Sequence, residues 1–231
     1  MDNLMKEKEE VVEFLKNLGI EYRYSCYGEK NPEGCQLLGD YFTQIYGEYE
    51  KANKVFKDNC DIRNYGRSCS SYGLHLIYGK GLERNCPLAL EYFAKACENN
   101  DATGCDYAGK LLTNCEPSLS KHFNLDPKRG ISYLERGCNL ESTAQMFESS
   151  ESCYAAAFLY SVGLKGVAKD ENKAIQMGTK SCDMGQFRGC KLVSQIYAKM
   201  GDEKASKIFE KRYNDMEKQL KESVNIEMQR T

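Results

Sequence analysis

Apolar and polar positions alternate along this chain with a helical period, in short blocks separated by polar turns. One series of blocks opens on a cysteine and carries a small or aromatic residue every three to four positions. Its members are CQLLGDYFTQIYG (35–47), CSSYGLHLIYGKG (69–81), CDYAGKLLTN (105–114), CYAAAFLYSVGLKG (153–166) and CKLVSQIYAKMG (190–201). A second series ends on a cysteine: YEKANKVFKDNC, PLALEYFAKAC, PKRGISYLERGC and ENKAIQMGTKSC. Leu90, Phe93, Ala94 and Cys97 share one helical face in that series. Glycine near the block ends is a helix stop. Pro87 and Pro127 suit a first helical turn. The pattern therefore predicts an all-α chain of antiparallel helix pairs.

The cysteines fix the phase of these pairs. Cys26/Cys35, Cys60/Cys69, Cys97/Cys105, Cys138/Cys153 and Cys182/Cys190 each straddle a polar turn. A period of roughly 34–44 residues is that of stacked two-helix units rather than one globular core. One pair at the same place in each unit points to disulfides, hence to an oxidising compartment. The organisation expected is a right-handed solenoid stapled by disulfides. Residues 1–25 form an N-terminal capping helix, with Val11, Phe14, Leu15 and Leu18 on one face. Residues 26–201 form about five repeat units. Residues 202–231 form a charged final helix and tail. Two stretches break the period: 115–126 lengthen a connector in the third unit, and 139–152 lengthen the turn between Cys138 and Cys153. Such insertions are functional, mobile, or tolerated at the surface.

Composition narrows the function classes. Net charge is −2, with 41% hydrophobic and 29% charged residues. No basic run exists to displace counterions, so nucleic-acid binding is set aside. No 18-residue apolar stretch exists to span a membrane. A soluble monomer is expected. The start, MDNLMKEKEEVVEFL, has neither the apolar core of a secretory signal nor the Arg-rich, acid-poor character of a mitochondrial presequence. An oxidising environment without a cleavable leader points to the mitochondrial intermembrane space, reached by oxidative trapping. A clipped secretory signal is the rival resolution.

Cys86 and Cys115 are left over. Cys86-x10-Cys97 and Cys105-x9-Cys115 are each about three helical turns. A hairpin closed by Cys97–Cys105 would bring them together as a sixth pair; otherwise they are two thiols. Zinc knuckles want C-x2-4-C spacing, which is absent, so no metal is expected. C-x-x-C is absent too, and no catalytic residue is assigned. His75 lies inside a helical block and reads as a packed side chain. His122 lies beside Phe123 in the first insertion and reads as surface. Neither argues for haem ligation, though an axial role is open to both. Ser118-Leu-Ser-Lys121 matches the S-x-x-K of penicillin-recognising enzymes, but no S-D-N or K-T-G accompanies it, and it reads as chance. Glu9/Glu10 and Glu48/Glu50 read as solvated faces. Tyr41, Tyr72, Tyr92, Tyr107, Tyr160 and Tyr197 read as packing positions.

Gly79-Lys-Gly81, Gly163-Leu-Lys-Gly166, Asp170, Lys173-Ala174 and Lys95-Ala96 resemble the Sel-one-like repeat, a relative of the tetratricopeptide hairpin, over about residues 26–213. The segment EEVVEFLKNLGIEYRYSCYGEKNPEGCQLLGDYF, with KANKVFKDNC, SCSSYGLHLIYGKG and SCDMGQFRGC, is similar to the cytochrome c oxidase assembly factor seven family. That resemblance implies the intermembrane space, import through the disulfide relay machinery, and a part in building respiratory complex IV. Partners would be complex IV subunits or their copper chaperones. The expectation is a disulfide-rigid binding scaffold that requires no cofactor. The alternatives are a thiol–disulfide reductase acting on copper metallochaperones and a haem-binding protein.

Overall fold

The computed structural model describes residues 2–113, 124–140 and 145–228; over 2–7 and 223–228 it describes the helical backbone alone. The chain divides into two compact units, Met1–Asn99 and Asn100–Thr231.

The first unit runs α1 (Asp2–Arg23), a π-helical turn (Tyr24–Gly28), α2 (Pro32–Tyr41), a second π-helical turn (Phe42–Tyr46), α3 (Tyr49–Arg63), α4 (Gly66–Tyr78) and α5 (Cys86–Glu98). The second runs α6 (Ala102–Thr113), α7 (Pro127–Asn139), α8 (Met146–Val162), α9 (Glu171–Asp183), α10 (Phe187–Met200) and α11 (Glu203–Met228). Among the described residues the only extended pairing is an isolated bridge between Leu164 and Val167.

Local chemistry sets these boundaries. Asn31, Asn85, Asp126 and Asp170 accept from backbone N–H groups of the first turns of α2, α5, α7 and α9, satisfying donors that the helix leaves unpaired. Pro32, Pro87 and Pro127 occupy first-turn positions. Gly79 and Gly201 end α4 and α10 with φ of 68° and 82°, a conformation in which a Cβ is strained.

Helix pairs pack closely because small residues face large ones. A Cβ on Gly39 of α2 would lie 2.1 Å from the Phe56 ring of α3, and one on Gly109 of α6 would lie 2.5 Å from Leu134 of α7. Phe56 and Leu134 are consequently among the most buried side chains of their units. The second unit's core joins Leu134 to Ile131, Leu159, Tyr160, Ala174 and Ile196.

On the end helix α1, which packs on α2, Leu15 and Leu18 are half-buried, whereas Val11 and Phe14 are exposed. One expectation needs correction: the stretch 139–152 is not simply a lengthened turn. Residues 141–144 lie outside the described residues, but α8 starts at Met146, about two turns before Cys153. Ser149, Ser150 and Ser152 are buried there, and Gln145 accepts from Ala102 N at the start of α6 at 2.8 Å. Of the other insertion, 115–123 lie outside the described residues.

Candidate functional site

Four cysteine pairs are disulfides with Cα atoms 4.3 Å (Cys26–Cys35), 4.8 Å (Cys60–Cys69), 4.5 Å (Cys138–Cys153) and 4.7 Å (Cys182–Cys190) apart. Each joins one helix to its successor across a turn; Cys26 sits in the π-helical turn that continues α1. Cys97 in the first unit and Cys105 in the second are each disulfide-bonded. Cys86 is buried at the start of α5. Cys115, Ser118, Lys121 and His122 lie outside the described residues. All eleven described cysteines are 4% exposed or less. Short loops closed this way stabilise by about 3 kcal/mol each in the chain-entropy model. Burial also shields the sulfurs, because exchange needs an attacking thiolate to reach one.

His75 lies within the first unit's core. Its Nδ1 is 2.6 Å from Asn53 Oδ1, and the rings of Tyr49 and Phe56 meet it edge-on at 5.6 and 5.7 Å. Asn53 Nδ2 donates in turn to Lys80 O. Burial, with the nearby Lys80 charge, pushes the imidazole pKa down to about 4. The ring is thus packed from α4 against two aromatic rings of α3. Among the described residues no group of three or more His, Cys, Asp or Glu is placed to hold a metal ion.

In the second unit, apolar and charged groups converge beside α8. A pocket of about 440 Å³ lies among α6, α8 and α10. Its apolar wall is α8: Phe158 and Val162 are 45% and 52% exposed, and Leu164 continues the wall. Its charged wall is organised by Glu151. The Arg188 guanidinium and the Gln186 amide both donate to Glu151. Arg188 also stacks on Tyr154 at 4.7 Å. Lys110 lies 3.8 Å from Glu151 and 2.6 Å from Asp106.

Asp106 is buried, and its Oδ1 has no hydrogen-bond partner among the described residues. Burial pushes its pKa up to about 6, against the pull of Lys110 and with the push of Glu151 and Glu148. An apolar wall beside a preformed charge network suits recognition of a folded or helical protein segment.

Sequence reasoning missed this cleft. Glu151 sits in the second insertion, and the insertion's helical part is what brings it to Lys110 and Arg188. One signal was legible: AAAFLYSV (155–162) is apolar all round, so a helix built from it either buries every side or shows apolar surface.

Known proteins fit this architecture. The Sel1 repeat model matches residues 66–101 and 150–186, the first of each pair of helices being α4 and α8. A Sel1 repeat protein from Oxalobacter formigenes superposes with a TM-score of 0.63 at 20% identity, over 80% of this chain and 71% of its own. The c5321 protective antigen of uropathogenic Escherichia coli, an SLR fold, gives 0.65 at 20% identity, over 83% of this chain and 40% of its own. These likenesses concern the fold alone. In sequence, the Drosophila melanogaster cytochrome c oxidase assembly factor 7 homolog is 32% identical over 90% of this chain and 88% of its own. The Xenopus tropicalis cytochrome c oxidase assembly factor 7 is 31% identical, over 86% and 83%. The Homo sapiens protein of that name is 30% identical, over 73% and 71%. With a stapled Sel1-type fold and relatives of that identity over most of its length, this chain belongs to the cytochrome c oxidase assembly factor 7 family.

Proposed function

We propose that this protein assists assembly of cytochrome c oxidase, respiratory complex IV, as a disulfide-rigid scaffold in the mitochondrial intermembrane space. The names of its relatives support the complex IV role. The oxidised cysteine framework supports an oxidising compartment. The observation that carries the scaffold reading is the burial of every described cysteine, at 4% exposure or less. A thiol–disulfide reductase needs an accessible thiolate of lowered pKa, and none of these sulfurs offers one. The cleft among α6, α8 and α10 supplies what a scaffold needs: exposed Phe158 and Val162 beside an ordered charge network. Its clients would be complex IV subunits or their copper chaperones. Cofactor-free action is part of this reading.

Deletion of the gene tests it. The expected result is less assembled complex IV on native gels, with the tagged protein protease-resistant in intact mitochondria and digested once the outer membrane is opened. Unchanged complex IV, or a protein digested in intact mitochondria, would overturn the reading.

A further inference from the structure

A second surface, on the first unit, carries a different chemistry. Lys8, Val12, Lys16, Ile20 and Arg23 recur every three to four residues and so form one stripe along α1. Two depressions meet on it. One is lined by Lys8, Val12, Lys16 and Ile20. The other, of about 350 Å³, shares Lys16 and Ile20 and adds Arg23, Tyr41, Phe42 and Lys51. The second is shaped by the π-helical turn Phe42–Tyr46, a local unwinding often found at functional positions.

The apolar steps stand in water: Val12 is 50% and Ile20 62% exposed. The cations at the far end are incompletely neutralised. Arg23 and Lys51 lie 5.7 and 5.9 Å from the centre of the same Phe42 ring. Lys51 is paired with Glu48 at 2.7 Å. Arg23 and Lys16 have no carboxylate partner among the described residues. Holding a guanidinium over an aromatic ring orients its planar fork.

We propose that this stripe docks an amphipathic helix of a partner protein, its apolar side chains over Val12 and Ile20 and a single carboxylate on Arg23. The length fits: Val12 to Arg23 spans about 16 Å, roughly three helical turns. The charge fits one carboxylate rather than a polyanion. Glu9, Glu13 and Glu48 border the same depressions and would repel a phosphate dianion or an anionic lipid surface. The exposed apolar steps fit a protein helix, read at intervals of a turn or two. The site stands independently of the second unit's cleft and of the scaffold reading.

The test titrates the full-length protein against a fluorescein-labelled, alanine-based peptide of roughly four turns. The peptide carries leucines spaced to meet Val12 and Ile20, with a glutamate one turn beyond. The expected result is saturable binding that Arg23→Gln weakens about tenfold, the size of one charge-assisted contact. Glutamine in place of the peptide's glutamate should give the same loss, without a further loss when combined with Arg23→Gln. Ile20→Ser should weaken binding with helicity unchanged, and Arg188→Gln should leave it alone. Absence of peptide binding, binding indifferent to Arg23→Gln, or retention on vesicles of anionic phospholipid in place of the peptide would overturn the proposal.

Discussion

Each unit buries a titratable group on a helix that follows a cysteine turn, and these two groups respond to acid in opposite directions. His75 on α4 is closed in by Tyr49, Phe56 and Asn53, and its pKa is pushed down to about 4. Asp106 on α6 is closed in beside Lys110, and its pKa is pushed up to about 6. Burial is the main cause in both. It disfavours the cation in one unit and the anion in the other. The repeat supplies the backbone and the staple; the neutral form selected at these two positions makes them meet a change of pH in opposite ways.

The largest effects come from what the units share. Removing Cys60–Cys69 by double serine substitution should cost about 3 kcal/mol, and removing Cys182–Cys190 about as much. Hydrogen exchange read unit by unit should place each loss in the unit that held the bond. A loss spread equally over both units would break the comparison at its root.

The pH responses come next. An imidazole whose folded pKa lies below its ordinary value of 6.5 stabilises fully above that value. The contribution is lost as pH falls from about 6.5 toward 4, because the unfolded chain takes up the proton first. Discounted for partial solvent access, this is about 1–2 kcal/mol. Asp106 works the other way. Its folded pKa lies above the carboxylate's 3.8, so the unit is favoured at low pH and weakens as pH rises from about 4 through 6. Asp106→Asn should flatten that slope and raise stability at pH 7.5 by about 1–2 kcal/mol. Read by protection factors between pH 5 and 7.5, the His75 contribution should therefore strengthen the first unit, opposed by Asp40, whose carboxyl pKa burial also raises, and the Asp106 contribution should weaken the second. A common slope for the His75 and Asp106 contributions would sink the assignment.

Most of the fold was legible because its determinants are local. Cysteine phase, first-turn prolines and terminal glycines set helix boundaries from neighbours in sequence. The cleft was not legible, because it depends on Glu151 meeting Lys110 and Arg188, residues 41 and 37 positions away. Nothing in the pattern said that 146–152 would extend α8 rather than loop out. Burial along α1 was not legible for a similar reason. Helical spacing shows which residues share a side, but not whether a neighbour covers it, and for Val11 and Phe14 none does.

The smallest effect should fall on the outer face of α11. Lys207 and Glu203 are 3.7 Å apart and largely exposed, so Lys207→Ala should change stability by less than about 0.5 kcal/mol. Chemical denaturation checks it, and a change comparable with that of Asp106→Asn would mean that exposed pairing matters as much as burial here.

The central claim is that this protein serves complex IV by binding rather than by exchanging thiols. In cells lacking it, rescue of assembled complex IV should be compared between two variants present at equal levels. Cys86→Ser with Cys115→Ser removes the two cysteines outside the five turn-spanning pairs. Phe158→Asp places a charge on the apolar wall of the second unit's cleft. The account predicts rescue by the double serine variant and failure of Phe158→Asp. Failure of the double serine variant beside full rescue by Phe158→Asp would contradict it.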